Sequence, residues 1–172
     1  MDGEPGVVIA IATLTVAAVA MLGEDRRSRR HERALRARGG TEAPGDVYRL
    51  MQVAYPVCFV ALTIEGIVSG IAAQRWWTAG AAVFLVAKGF KYWAIASLGD
   101  RWTFRVLVPP DGTCVSDGPY RWMRHPNYVA VLGEIAGMAV MMQAPVSGTV
   151  AFVWFAALLR RRIAVENRAL GL

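Results

Sequence analysis

The sequence predicts an all-α integral membrane protein of about five transmembrane helices, with a cytoplasmic loop and a C-terminal helix at its working end. Three observations lead there. Of its 172 residues 55% are hydrophobic and only 19% are charged, and the mean hydropathy of +0.36 lies outside ordinary soluble usage. The apolar residues gather into runs of helical length. The basic residues behind the net charge of +6 sit in blocks between those runs, as loops at a lipid surface do. They are not spread over one face, so membrane lipid is an expected partner and nucleic acid is not.

The first run, Gly6 to Leu22, is uninterrupted. Asp2 and Glu4 stand where a signal peptide carries a basic leader, and no soluble segment follows its A-x-A-like stretch, so it is expected to stay as a helix. Residues 24 to 46 predict an amphipathic surface helix and then a flexible turn, "RGGTEAPGD". Leu50 to Ala73 and Trp76 to Leu98 are the second and third spans. Tyr128 to Met142 and Val146 to Leu159 are the fourth and fifth, short against the roughly 20 helical residues a bilayer needs. They are expected to form a tight hairpin through "QAPVSG".

The arginines set the orientation. "RRSRRHERALRAR", "DRWTFR", "RWMR" and "RRR" all fall on one side of a five-span chain, while the opposite connections hold only Arg75. The positive-inside rule then places the N-terminus outside and the C-terminus in the cytoplasm. The chain is one domain, residues 1–172, without internal repeats. Cys58 and Cys114 are too far apart for a metal or redox spacing, and no metal site is expected.

The loop from Gly99 to Pro126 carries the chemistry. It holds the turn signals "PPDG" and "SDGP" and then "GPYRWMRHPNY", which enters the fourth span with Pro126 in its first turn, where a missing N–H costs nothing. A helix N-terminus beside Arg121, Arg124 and His125 suits a carboxylate or phosphate. Anchoring to anionic lipid would explain the arginines, but it needs neither the prolines nor His125. In "RRRIAVENRAL" Arg162 and Glu166 lie four apart on one helix face. An Arg before a Glu is the weaker order for helix support, so stabilisation alone is a thin reason for the pair. The fifth span returns to the cytoplasmic side, so this pair and the start of the fourth span can meet.

Charge inside a membrane is costly, about 2.5–3.5 kcal/mol per Lys or Arg on insertion scales. Lys88, Lys91 and Glu134 must therefore pair, face the bundle interior or snorkel. Lys91 is close enough to the helix end to snorkel; Lys88, a turn deeper on the face of Tyr92, points to a paired or functional role. Glu134 shares a face with Ala130 and Asn127 and is expected to border a bound acceptor. Glu65 lies toward the outer half of its span and reaches the interface. Gly133 and Gly137 form a small-xxx-small pair, the mark of helix packing.

"GPYRWMRHPNY", followed by a last helix with Arg162, Ile163, Glu166 and Leu170, resembles the isoprenylcysteine carboxyl methyltransferase family of integral-membrane, S-adenosylmethionine-dependent enzymes, from roughly Tyr92 to the C-terminus. The wider pattern, "YWAIASLGDRW", a short hairpin and "GPYRWMRHPNYVAVLGE", looks closest to a small bacterial branch encoded beside type III polyketide synthases, whose acceptors are alkylpyrones or phenolic lipids. The resemblance implies that Arg124, His125, Pro126 and Tyr128 hold the cofactor, and that Arg162 and Glu166 share its pocket; the cofactor's sulfonium suits an aromatic face such as Tyr120, and its amino group an acid such as Glu166. Arg162, Glu166 and Glu134 are the candidate catalytic residues. Ala130 stands where the family often has glycine, and Asn167 where it often has a second glutamate, which weakens the case for a prenylcysteine acceptor.

In this reading the protein is a multi-pass enzyme of the cytoplasmic membrane. Its active site lies on the cytoplasmic face, it O-methylates a lipophilic acceptor, and a polyketide synthase is its neighbour. Carboxyl methylation of an isoprenylcysteine is the alternative within the family. Membrane sterol reductases share an "RHPNY"-type ending and would bind NADPH there. A non-catalytic membrane scaffold would hold no ligand at the loop.

Overall fold

The computed structural model describes residues 4–70, 74–110 and 115–171. Five helices make the body: α1 (Glu4–Ala37), α2 (Tyr48–Ser69), α3 (Gln74–Leu98), α4 (Pro126–Met142) and α5 (Pro145–Leu170). Three of them, α1, α2 and α3, are long and apolar enough to cross a membrane. At 17 residues α4 is shorter, and it turns directly into α5 through Gln143, a left-handed residue at φ 51°, which gives the tight hairpin its residues predict. Cys114, the Asp111–Gly112 part of the "PPDG" turn and the Ala73 end of the second run lie outside the described residues.

The core lies between α2, α4 and α5, where Phe59, Leu62, Ile135, Met138, Met142 and Phe155 are buried. Small residues let α3 and α4 approach closely. A Cβ on Gly80 would sit 2.3 Å from the Met141 nitrogen, and one on Gly137 would sit 2.6 Å from the Phe84 nitrogen. Gly133 meets Ala87 in the same seam, so the Gly133/Gly137 pair is a packing device, as its spacing predicts. At one end of the bundle Glu65 accepts the Val146 and Ser147 backbone N–H groups at 3.1 and 2.6 Å, and the Ser147 hydroxyl as well. It caps the orphan donors of α5.

Two expectations for residues 24 to 46 are overturned. There is no separate surface helix: α1 continues unbroken to Ala37, because Gly23 is the single poor helix former on the way and a helix propagates more cheaply than it restarts. The turn after it is not flexible. Thr41–Glu42 (β1) pairs antiparallel with Leu107–Val108 (β2), and Ala43 N–H donates to the Val106 carbonyl at 2.9 Å. The short hairpin expected within the later loop lies partly outside the described residues; the described Leu107–Val108 stretch of that loop pairs across the chain with β1.

The polar half of α1 is the platform for that loop. Ser28 accepts the Phe104 N–H at 2.8 Å, a His31 ring nitrogen lies 2.8 Å from the Trp102 carbonyl, and Arg105 meets Glu32 at 3.4 Å and Glu42 at 2.6 Å. These bonds gather the arginines of α1 and of the loop at the end of the bundle where α2 and α4 begin and α3 ends.

Candidate functional site

The site is assembled where α4 starts. Gly118, at φ +58°, begins a single 3-10 turn, Gly118–Arg121; a Cβ there would collide with the Ser97 hydroxyl at 2.0 Å. Only glycine allows the loop this close to α3. His125 is then the N-cap of α4, with Pro126 in its first turn. The imidazole stacks on Tyr128, ring centroids 5.3 Å apart and planes 12° from parallel.

From α5, Arg162 and Glu166 meet this turn from one helix face. Tyr128 donates its hydroxyl proton to Glu166 and accepts from Arg162 Nε at 2.8 Å. His125 lies 3.6 Å from Glu166 through Nδ1 and 3.2 Å from Asn167 Oδ1 through Nε2. Asn167, which stands where the resembled family often has a second glutamate, thus contacts His125 as a neutral partner. Arg162 is buried and forks, its second branch meeting Asp46 at 2.9 Å. Asp46 in turn accepts the Tyr48 and Val106 backbone N–H groups at 3.0 and 2.8 Å, so one carboxylate ties the start of α2, the loop and α5 together.

A cavity of about 720 Å³ opens on this cluster, within the usual range for small-molecule sites. Tyr120, Arg124, His125, Tyr128, Arg162 and Glu166 all line it. So do Ala18, Met21 and Leu22 of α1 and Met51 and Pro56 of α2, so the polar pole continues into an apolar chamber between helices. Burial, with the Glu166 charge second, pushes the Tyr120 phenol well above its usual range. Asn127 also lines the cavity, with a buried Oδ1 that has no hydrogen-bond partner among the described residues.

Two predicted site residues do not reach the cavity. Pro126 is buried and acts through the backbone, opening the helix without needing a donor. Glu134 is fully buried behind Tyr55 and Lys91, which do line the wall; it does not border the cavity. Instead it joins a four-charge cluster. Lys88 meets Glu24 at 2.9 Å and Glu134 at 3.0 Å; Lys91 meets Glu24 at 2.6 Å and Glu134 at 3.3 Å. Tyr55 donates to Glu134. Lys91 therefore pairs and does not snorkel, because two carboxylates are nearer than water. The alternating charges sum to zero, which is what makes their burial tolerable.

Sequence reasoning missed Asp46, Glu24, Tyr55 and the acceptor atom of Asn127. Asp46 had a signal, an aspartate just before an apolar run, the usual mark of a helix start. Glu24 had none, because it begins a charged segment that looks like solvated surface.

Residues 80–171 match the model of the isoprenylcysteine carboxyl methyltransferase family. The chain is 34% identical to the uncharacterized protein YpbQ of Bacillus subtilis (strain 168) over 83% of its own length and 85% of that protein. It is 25% identical to an uncharacterized protein of Haemophilus influenzae (strain Rd) over 83% of each chain. No solved structure matches.

Proposed function

The chain belongs to the isoprenylcysteine carboxyl methyltransferase family of membrane methyltransferases, and from that premise we propose that it methylates a hydroxyl of a lipophilic acceptor, an alkylpyrone or phenolic lipid, using S-adenosylmethionine. The observation that carries the proposal is the shared cavity: the polar pole and an apolar chamber between helices are one space. A soluble acceptor would leave the apolar chamber without a purpose.

The residues present fit the cofactor. Arg124 and His125 stand at the positive end of α4, suited to a carboxylate, and Arg124 makes no ion pair among the described residues. Glu166 and the unpartnered Asn127 oxygen can accept from amino groups. The rings of Tyr120 and Tyr128 offer faces to a cation. When bound, S-adenosylmethionine supplies an electrophilic methyl on sulfonium. What the chain supplies is orientation and exclusion of water, worth about 7–11 kcal/mol in well-aligned cases. Arg162 holds Tyr128 in place, so the aromatic wall is rigid. An acidic hydroxypyrone arrives as its anion and asks for no strong base; a simple phenol needs one. Such acceptors are products of type III polyketide synthases, which makes such an enzyme the natural supplier, and the one-sided arginines support a site at the cytoplasmic face.

The test offers purified protein a long-chain alkylpyrone, an alkylresorcinol and a farnesylcysteine analogue side by side, with radiolabelled cofactor. Label in the pyrone or resorcinol is expected. Label in the farnesylcysteine analogue alone would sink the hydroxyl reading, and calorimetric binding of NADPH but not S-adenosylmethionine would sink methyl transfer.

A further inference from the structure

The cavity has a second polar pole. Glu24, Lys91 and Tyr55 line its wall, three groups from α1, α3 and α2 set among Met21, Leu22, Met51 and Pro56, with Asp25 and Gln52 also on the lining. Six residue steps along α4, about 9 Å of helix, separate Tyr128 at the first pole from Glu134 behind the second, and Val131 faces the cavity between them.

These groups have hydrogen-bonding capacity to spare. The Lys91 ammonium carries three donors, of which two are directed at Glu24 and Glu134. The Glu24 carboxylate has about four acceptor sites, and the two lysines occupy two of them. Tyr55 spends its proton on Glu134, which leaves its oxygen free to accept. A helix pin alone would need no face on a cavity. Well-packed apolar residues would hold the helices at least as firmly, because buried ion pairs seldom repay their desolvation.

We infer that the Glu24–Lys91–Tyr55 wall recognises the polar ring of the acceptor, its hydroxyl shared by Glu24 and Tyr55 as acceptors and a second ring oxygen accepting from Lys91. The inference rests on the methyltransferase reading for the word acceptor, but the recognition itself needs only a lipophilic ring bearing a hydroxyl. Glu24 and Tyr55 lie outside the family-matched residues 80–171. The cofactor pole is thus built from the family's shared part, and acceptor choice is built largely from this chain's own first two helices.

The experiment measures binding, in lipid nanodiscs and without cofactor, of 5-pentadecylresorcinol and of its dimethyl ether, which keeps the tail and ring but has no donor. The free phenol should bind at least about tenfold tighter than the ether, as one hydrogen bond to a charged group allows. In Tyr55→Phe, which leaves the four charges in place, that preference should shrink by about threefold or more. In the charge-balanced pair Glu24→Gln with Lys88→Met it should vanish, with S-adenosylmethionine affinity unchanged in both. No preference in the wild type, or an undiminished preference in Tyr55→Phe, overturns the inference even if the paired variant does not fold. Retained preference in a folded paired variant overturns it too. If the preferences behave as stated but the wild type does not bind S-adenosylmethionine, the methyltransferase reading fails and this recognition site stands.

Discussion

Replacing Arg162 by lysine keeps the charge and the buried stem but removes the fork. In the native site one guanidinium spans Tyr128 at 2.8 Å and Asp46 at 2.9 Å, and the Arg162 and Asp46 side chains are 7% and 4% exposed. A lysine has one nitrogen and can hold one of the two partners in good geometry. The loss is one buried charge-assisted hydrogen bond, about 1.5–3 kcal/mol. At roughly 2–4 °C per kcal/mol for a chain of this size, melting should fall by about 3–12 °C. Arg162→Ala should cost more, about 3–5 kcal/mol, because Asp46 is left buried and uncompensated. Melting in detergent, read beside S-adenosylmethionine affinity, checks both. Asp46→Asn supplies a control: if Arg162 and Asp46 act as a pair, the double variant is far less damaged than the sum of the singles. Strict additivity, or a lysine variant with native melting and native cofactor affinity, would refute the idea that the fork organises the site.

His125→Ala and Glu166→Ala should each weaken S-adenosylmethionine binding, by about tenfold or more for a charge-assisted contact, while leaving the fold intact; unchanged affinity by calorimetry removes that residue from the site. Gly137→Ala should destabilise the α3–α4 seam by about 1–3 kcal/mol, since the added carbon meets Phe84 backbone at 2.6 Å; a native melting curve would count against the packing role. Glu42 is held below the ordinary value of 4.5, chiefly by its hydrogen bond from Arg36 and then by Arg105, against partial burial. A carboxylate with a depressed folded value adds stability above its unfolded value and loses it as pH falls through the folded one. The β1–β2 strap should therefore loosen below pH 4.5, measured as proteolytic nicking of residues 38–46, and Glu42→Gln should flatten that dependence. Single cysteines at positions 3 and 170 should label from opposite sides of the membrane; labelling from one side would overturn the five-span topology.

Much of this protein was legible without any fold. Runs of apolar residues state a membrane class directly, because hydropathy is summed locally and the bilayer sets the required length. The start of α4 at Pro126 follows from proline's missing donor, and the shared face of Arg162 and Glu166 follows from helical period alone. Even the meeting of those two with Tyr128 was within reach, since a tight hairpin between α4 and α5 leaves little else for them to face. What the sequence could not state was who pairs with whom across the chain. Asp46 sits in a segment with every mark of a loose turn, yet it binds Arg162, 116 residues away. Glu24 looks like the first residue of a solvated basic helix, yet it is 3% exposed between Lys88 and Lys91. Glu134 was placed on the right helix face, but whether that face meets the cavity or the charge cluster depends on Tyr55 from α2 standing between them. Local pattern says that a charge in an apolar helix needs a partner. Only the packing of four helices decides which partner it gets, because the cost of burying each charge is settled by neighbours that are distant in sequence.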